Sequence, residues 1–404
     1  MDKEKRAAIT VKAVGDICPG DKNIMGLGVL NKTKRYGVDF PLNEAREFLK
    51  QGDIVLGNLE GVLSDKVRDT KKCSDLTFCG LPEFGDALAR AGFNVLNLAS
   101  NHSLEHGPEI FLETVENLRK AGLKICGLRG NDSGYYSEPV ILTLNGCRVG
   151  ILGYNWVGVN NFSEADRYIA QSHDSLVNYT WERNKKPEIP ISNANSLVIK
   201  DIRRLRKEAD VVILMTHWGY EFVRVPPYKL TIEAQAFIEA GANIIIGSHP
   251  HVLQGVQKYL SGLIFYSLGN FIFDSRARRI KHTAILEVVL NKNKNNNISY
   301  KFIPFYINRF FQPEVGSSKQ ERYIRREIEK SNQSLSSLNK KEDLDDDKVY
   351  RKQERYYNAS RLFRIISHFV AIREDRSVIR LIFKKGVGFL RIMWLRLKGQ
   401  KVRW

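Results

Sequence analysis

Six short apolar runs constrain this chain of 404 residues more than any other feature. Residues 11–14, 54–56, 95–98, 211–215, 244–246 and 263–266 are mostly apolar, with many β-branched side chains. Each has the length of a strand buried on both faces. Helical periodicity fills the intervals, at 43–51, 83–91, 109–121, 198–208 and 231–240. The last of these opens on Thr231-Ile232-Glu233-Ala234, close to a capping signal, and closes before Gly241. Such alternation predicts an α/β architecture with buried, largely parallel strands. Two hairpins add antiparallel sheet. Residues 140–144 and 148–152 flank Asn145-Gly146, a strong type I′ turn signal, and 284–290 and 298–307 flank the Asn/Lys-rich stretch 291–297.

In open α/β sheets, ligands collect where the strands end at their carboxyl side. The six runs end in Gly15-Asp16, Gly57-Asn58-Leu59-Glu60, Ser100-Asn101-His102, Thr216-His217-Trp218-Gly219-Tyr220-Glu221, His249-Pro250-His251 and Ser267-Leu268-Gly269-Asn270. Taken singly, a Gly-Asp is a turn and a His after a strand is a packed polar residue. Six such endings in register make a site. Five of the eight histidines lie in or beside these segments, counting His106. Carboxylate, imidazole and amide oxygen suit Zn, Mn or Fe and not a thiolate structural zinc. The donors exceed what one tetrahedral ion needs, which points to two ions.

The composition is globular, with 43% hydrophobic and 10% aromatic residues. No stretch reaches the roughly 18 apolar residues of a membrane-spanning helix. Met1-Asp2-Lys3-Glu4-Lys5-Arg6 lacks the apolar centre of a secretory signal. A cytoplasmic protein is expected, or a mature form. The five cysteines, without a CxxC pair, read as free thiols in a reducing compartment. The net charge of +18 is unevenly placed: residues 275–404 hold 31 Lys/Arg and 13 Asp/Glu, whereas 1–274 hold 32 of each.

The combined series Gly15-Asp16, Asn58-Leu59-Glu60, Asn101-His102-Ser103-Leu104-Glu105-His106-Gly107, His217-Trp218-Gly219-Tyr220-Glu221, Gly247-Ser248-His249-Pro250-His251 and Tyr266-Ser267-Leu268-Gly269-Asn270-Phe271 resembles that of the CapA family. These are poly-gamma-glutamate capsule biosynthesis proteins, similar to calcineurin-like metallophosphoesterases. The resemblance covers about residues 8–310. It implies a four-layer α/β/β/α sandwich over 8–312; residues 313–404 read, from their own composition, as a charged, basic helical extension. The resemblance also implies a site for two divalent ions. Asp16 would bind the first ion, joined by His251. Glu60 would take the bridging place, with Asn58 close by. Asn101, His217 and His249 would bind the second ion. His102 would be the general acid, and Glu221 and Asn270 would orient ligands. Two positions depart from the pattern. Cys18 stands where metallophosphoesterases often have a His, so it either completes the first ion's ligands or only packs. Glu105 stands where an Asp is frequent, leaving His106 a neighbour and not a ligand.

Residues 157–197 are polar and irregular, with Tyr179-Thr180-Trp181 embedded. A loop of that length inside a core is more often functional than idle. After Gln312 the chain is dense in charge. Residues 317–357 are expected to be helical, and Leu344-Asp345-Asp346-Asp347 is a solvated acidic run. Residues 361–404 mix aromatic and aliphatic side chains with twelve basic and two acidic residues. Such a stretch fits a helical pair packed on the core, an anionic membrane surface at its inner face, or an anionic polymer. Nucleic acid is the least favoured partner. Two functions follow from the resemblance. One is metal-dependent hydrolysis of a phosphoester or of a glutamyl or amide linkage. The other is a non-catalytic role in assembling or exporting an anionic polymer, beside capsule synthetase proteins.

Overall fold

A computed structural model of the chain describes residues 8–21, 28–66, 78–130, 133–157, 169–170, 196–274, 278–291 and 297–338. It is a mixed α/β structure with two main sheets. The first sheet is built on β1 (Ala8–Ile17), β2 (Ile54–Leu59), β5 (Val95–Asn97) and β6 (Lys124–Cys126), adjacent and parallel. The short strands β3 (Val62–Leu63) and β4 (Cys79–Gly80) pair only with each other. The second sheet contains β7 (Val140–Leu144), β8 (Cys147–Asn155), β9 (Val211–His217), β10 (Ile244–Ser248), β11 (Val256–Tyr259) and β12 (Gly262–Phe265), in the order β11-β12-β10-β9-β8-β7. The chain then returns to the first sheet. There β13 (Asn270–Ile272) pairs parallel with β1. On the same side β14 (His282–Asn291), β15 (Asn297–Ile307) and β16 (Pro313–Val315) add an antiparallel edge.

The unbroken apolar runs follow from burial on both faces. In β9, Val211, Ile213 and Met215 join a core that also contains Val11, Ile54 and Val95 of the first sheet. Val212 and Leu214 alternate with them and pack with Ile202, Leu205 and Phe237 from the helices Ser196–Glu208 and Tyr228–Ala240. In β2 the same alternation gives Ile54 and Leu56 to the core shared by the sheets. Val55 and Leu59 pack instead with Phe84, Leu88, Phe111 and Leu118 of the helices Phe84–Ala91 and Pro108–Lys120. Successive side chains of a strand point to opposite faces, so a polar residue inside these runs needs a partner, as the buried Lys12 of β1 has in Glu287 at 3.0 Å.

Local chemistry sets the boundaries. The helix Pro108–Lys120 starts with proline at its first turn, where a missing N–H costs nothing, and ends in Arg119 and Lys120. Asn145 (φ 51°) and Gly146 (φ 69°) both adopt positive φ, as a type I′ turn requires. Two expectations change, and a third falls only in part within the described residues. The helix predicted at 43–51 is a 3₁₀ turn, Phe40–Leu42, followed by the single turn Arg46–Leu49. The helix predicted from Thr231 begins at Tyr228, after Pro227, and the Thr231 hydroxyl donates to the Tyr228 carbonyl from within its first turn. The charged helix predicted at 317–357 is described as Ser318–Leu338. Residues 344–347 and 361–404, and most of 157–197 including Tyr179–Trp181, lie outside the described residues.

Among the described residues, no helix is long and apolar enough to cross a membrane. Cys18, Cys79, Cys126 and Cys147 are all buried. Cys18 packs with Phe78 and Phe273.

Candidate metal centre

The carboxyl ends of β1, β2, β5, β9 and β10 bring their polar endings to one place. Asp16 stands at the centre, fully buried. It pairs with Asn58 of β2 on one side and Asn270 of β13 on the other. Its N–H donates to the Gly269 carbonyl at 2.9 Å. Gly15 makes that approach possible, because a Cβ there would fall on the Gly269 carbonyl oxygen. The Asp16 carboxylate accepts from Asn58 Nδ2 at 2.9 Å and from the backbone N–H of His249 at 3.2 Å. It also lies 3.3 Å from His251 Nδ1 and 3.9 Å from His217 Nδ1.

His249 and His251 adopt φ of 91° and 57°, a region L side chains rarely enter. Such strain persists only where the surroundings over-determine it. Here the bond from His249 to Asp16 fixes one side of the turn. The Phe222 N–H, donated to the Pro250 carbonyl at 2.8 Å, fixes the other. The result aims both rings inward. Glu60, His249 and His251 each present a ligand atom to a common space, and these atoms lie within 4.8 Å of one another.

The other polar groups orient these donors. Asn270 Nδ2 donates to the Ile280 carbonyl, so its Oδ1 must face His251 Nδ1, at 2.8 Å. His251 Nδ1 therefore carries the hydrogen, and its Nε2 lone pair turns toward Glu60, 3.8 Å away. Asn101 Oδ1 stands 2.8 Å from His217 Nε2. His102 lies flat on Phe78, ring centroids 3.7 Å apart. Glu105 holds its Nδ1 at 2.8 Å, which leaves Nε2 facing Glu60 at 3.7 Å. The longer side chain at position 105 thus reaches the ring without difficulty. Glu221 is half-buried in the turn after β9.

Sequence reasoning passed over Asn97, Ser248 and the aromatic wall. Asn97, fully buried, donates from Nδ2 to Asn58 Oδ1 at 2.8 Å and so aims Asn58 at Asp16. A polar residue at the end of the run Val95-Leu96 was its only signal. Ser248 Oγ lies 3.2 Å from His217 Nδ1. Phe273 and Phe222 stand 4.7 and 5.7 Å from the His251 ring.

The donor set fits a divalent metal ion. Asp16, Glu60, His217, His249 and His251 are all buried, and buried carboxylates are costly without a compensating cation. Burial, and then the neighbouring His249, His251 and His102, hold the His217 imidazole well below its usual pKa. Neutral imidazole is the form that ligates.

The sequence profile of the bacterial capsule synthesis protein family PGA_cap matches residues 10–275. The chain belongs to that family. Its relatives include the capsule biosynthesis protein CapA of Bacillus anthracis, 30% identical over 341 residues, 83% of this chain and 76% of that protein. The PGA biosynthesis protein CapA of Bacillus subtilis (strain 168) is 27% identical over 324 residues, 80% of this chain and 79% of that one. A hypothetical protein from Thermus thermophilus aligns with a TM-score of 0.43 at 13% identity, over 73% of this chain and 99% of that one. In this PGA_cap chain every residue of the centre, from Asp16 to Asn270, falls inside the family match, whereas the helix Ser318–Leu338 follows it.

Proposed function

We propose that the chain is a metal-dependent hydrolase of capsule polymer synthesis, acting through two divalent ions on a phosphoester or on a glutamyl or amide linkage. The observation that carries this reading is the convergence of Glu60, His249 and His251 with His102 Nε2 alongside. In this reading residues 8–312 form a four-layer α/β/β/α domain of the metallophosphoesterase type. It is supported by one core shared between the sheets and one core between each sheet and its helices. The basic residues of 313–404 form an extension. They draw the chain toward an anionic polymer, toward capsule synthetase proteins, or toward the anionic inner face of a membrane.

Asp16 and His251 would hold the first ion, Asn101, His217 and His249 the second, and Glu60 would serve both. Paired Mn, Fe or Zn ions, when bound, activate water at neutral pH and polarise the scissile group. The protein's own part is orientation and proton delivery. Asn58 and Asn270 fix the acidic and imidazole donors. Glu105 fixes the His102 ring, so that Nε2 delivers a proton to the leaving atom. Phe78, Phe222 and Phe273 keep water away from the imidazoles.

Metal analysis of the purified chain tests the reading, together with Mn²⁺-dependent hydrolysis of a generic phosphodiester. About two ions per chain are expected, with metal and hydrolysis both lost in His249→Ala. Fewer than one tightly held ion in the wild type overturns it. A second reading, a metal-binding but non-catalytic member of a polymer assembly, draws on Cys18. Its thiol packs with Phe78 and Phe273, which leaves the first ion a ligand short of the usual pattern. Bound metal without turnover on a glutamyl polymer or a phosphodiester would favour it.

A further inference from the structure

The helix Ser318–Leu338 lies beyond the family match, yet it grips both loops that carry the histidines. Its apolar stripe is spaced at 324, 328 and 335. Ile324 and Ile328 pack with Leu253, and Leu335 enters the core under the second sheet. Between these contacts sits Ser331, 2% exposed. Its hydroxyl donates to the Arg224 carbonyl at 2.7 Å and accepts the Gly255 N–H at 2.7 Å. Arg224 belongs to the turn that follows His217. Gly255 follows the turn that ends at His251. One hydroxyl therefore joins the two turns. Asn332 Oδ1 accepts the next N–H, that of Val256, at 2.7 Å.

Two further contacts make the arrangement a clamp. The Arg224 guanidinium pairs with Glu327 and donates to the Tyr323 hydroxyl. Gln254 Nε2 donates to the Val223 carbonyl at 2.7 Å, and Phe222 N–H to Pro250, so the turns are also laced to each other. Gly255 admits the helix closely: a Cβ there would stand 2.6 Å from Asn332 Oδ1 and 2.7 Å from a Leu335 methyl.

We propose that this helix fixes the separation of His217 from the His249–His251 pair, and that Ser331 is the positioning residue. Donors on two separate loops hold an ion only if the loops keep one spacing. A second set of bonds behind them supplies it. The inference rests on the metal reading above.

The test uses the full chain with Ser331→Ala and Ser331→Thr, Mn²⁺ titrated by calorimetry, and amide hydrogen exchange on the metal-free proteins. Ser331→Ala is expected to weaken Mn²⁺ binding on the order of 10-fold, as outer partners of ligands do. Ser331→Thr, which keeps the hydroxyl, should restore binding. In Ser331→Ala the Phe222 amide, which touches no atom of Ser331, should exchange faster along with that of Gly255. If Gly255 alone speeds up and Mn²⁺ affinity is unchanged, Ser331 merely packs and the proposal is overturned. If the wild-type chain itself takes up no Mn²⁺, the functional reading falls and this one with it.

Discussion

The Asp16 carboxylate accepts the backbone N–H of His249 at 3.2 Å, across 233 residues of sequence. One side chain thus ties the end of a strand in the first sheet to the strained turn of the second, in addition to any ligand role.

The two roles separate by substitution. Asp16→Ala leaves the His249 N–H and the Asn58 amide without their acceptor, at a cost of about 2 kcal/mol in the metal-free protein. Asp16→Asn keeps an acceptor oxygen and should unfold in urea close to the wild type, while losing bound metal like the alanine variant. Urea midpoints in a chelator, beside metal content, check this. Equal destabilisation by both variants would argue against the tie.

Backbone strain at His249 gives a second handle. Glycine enters positive φ freely, and alanine does not. Both substitutions remove the ring, so both should abolish metal uptake. His249→Gly should nonetheless be more stable than His249→Ala by about 1 kcal/mol in the metal-free state. The reverse order would mean that the turn relaxes once the ring is gone.

Glu105 should act on rate and not on binding. Its carboxylate holds His102 Nδ1 and touches no donor that would hold metal. Glu105→Gln should lower kcat for a phosphodiester about 10-fold, with metal content and KM near the wild type. A loss of metal in this variant would contradict the assignment.

His282 predicts the response to acid. Burial pushes its pKa from 6.5 down to about 4, between the rings of Tyr306 and Tyr323. The folded chain holds it neutral where the unfolded chain takes up a proton. The stability it contributes is complete above about pH 6.5 and is lost as pH falls from there toward 4. Thermal unfolding in a chelator from pH 7 to 4.5 should show a steeper decline in the wild type than in His282→Phe. Parallel profiles would place the acid sensitivity elsewhere.

Much of this was readable in sequence, for a physical reason. Strands buried on both faces carry few polar residues until they end, so Asp16, Glu60, His217 and His249 stood out against Val, Ile and Leu. The same logic located β9 and β10, and turn chemistry located Asn145-Gly146. What escaped depends on contact and not on pattern. Asn97 reads as an ordinary strand terminus until Asn58 is seen beside it. Ser331 reads as one more polar residue in a charged helix, although both of its hydrogen bonds reach across more than 70 positions. The helix Val29–Tyr36 was missed: it is only about two turns long and buries only Val29 and Thr33.

The pairing of Asp16 with Asn270 sets a schedule for the living chain. A ribosome delivers residues in order, and the strand that closes on β1 is made some 250 residues after it. Before residues 217–251 are made a growing chain displays Asp16, Asn58 and Glu60 with no imidazole from the second sheet, and His251 then waits for Asn270 to fix its ring. The polar endings of the strands therefore come together late in synthesis, once strands of both sheets have been made.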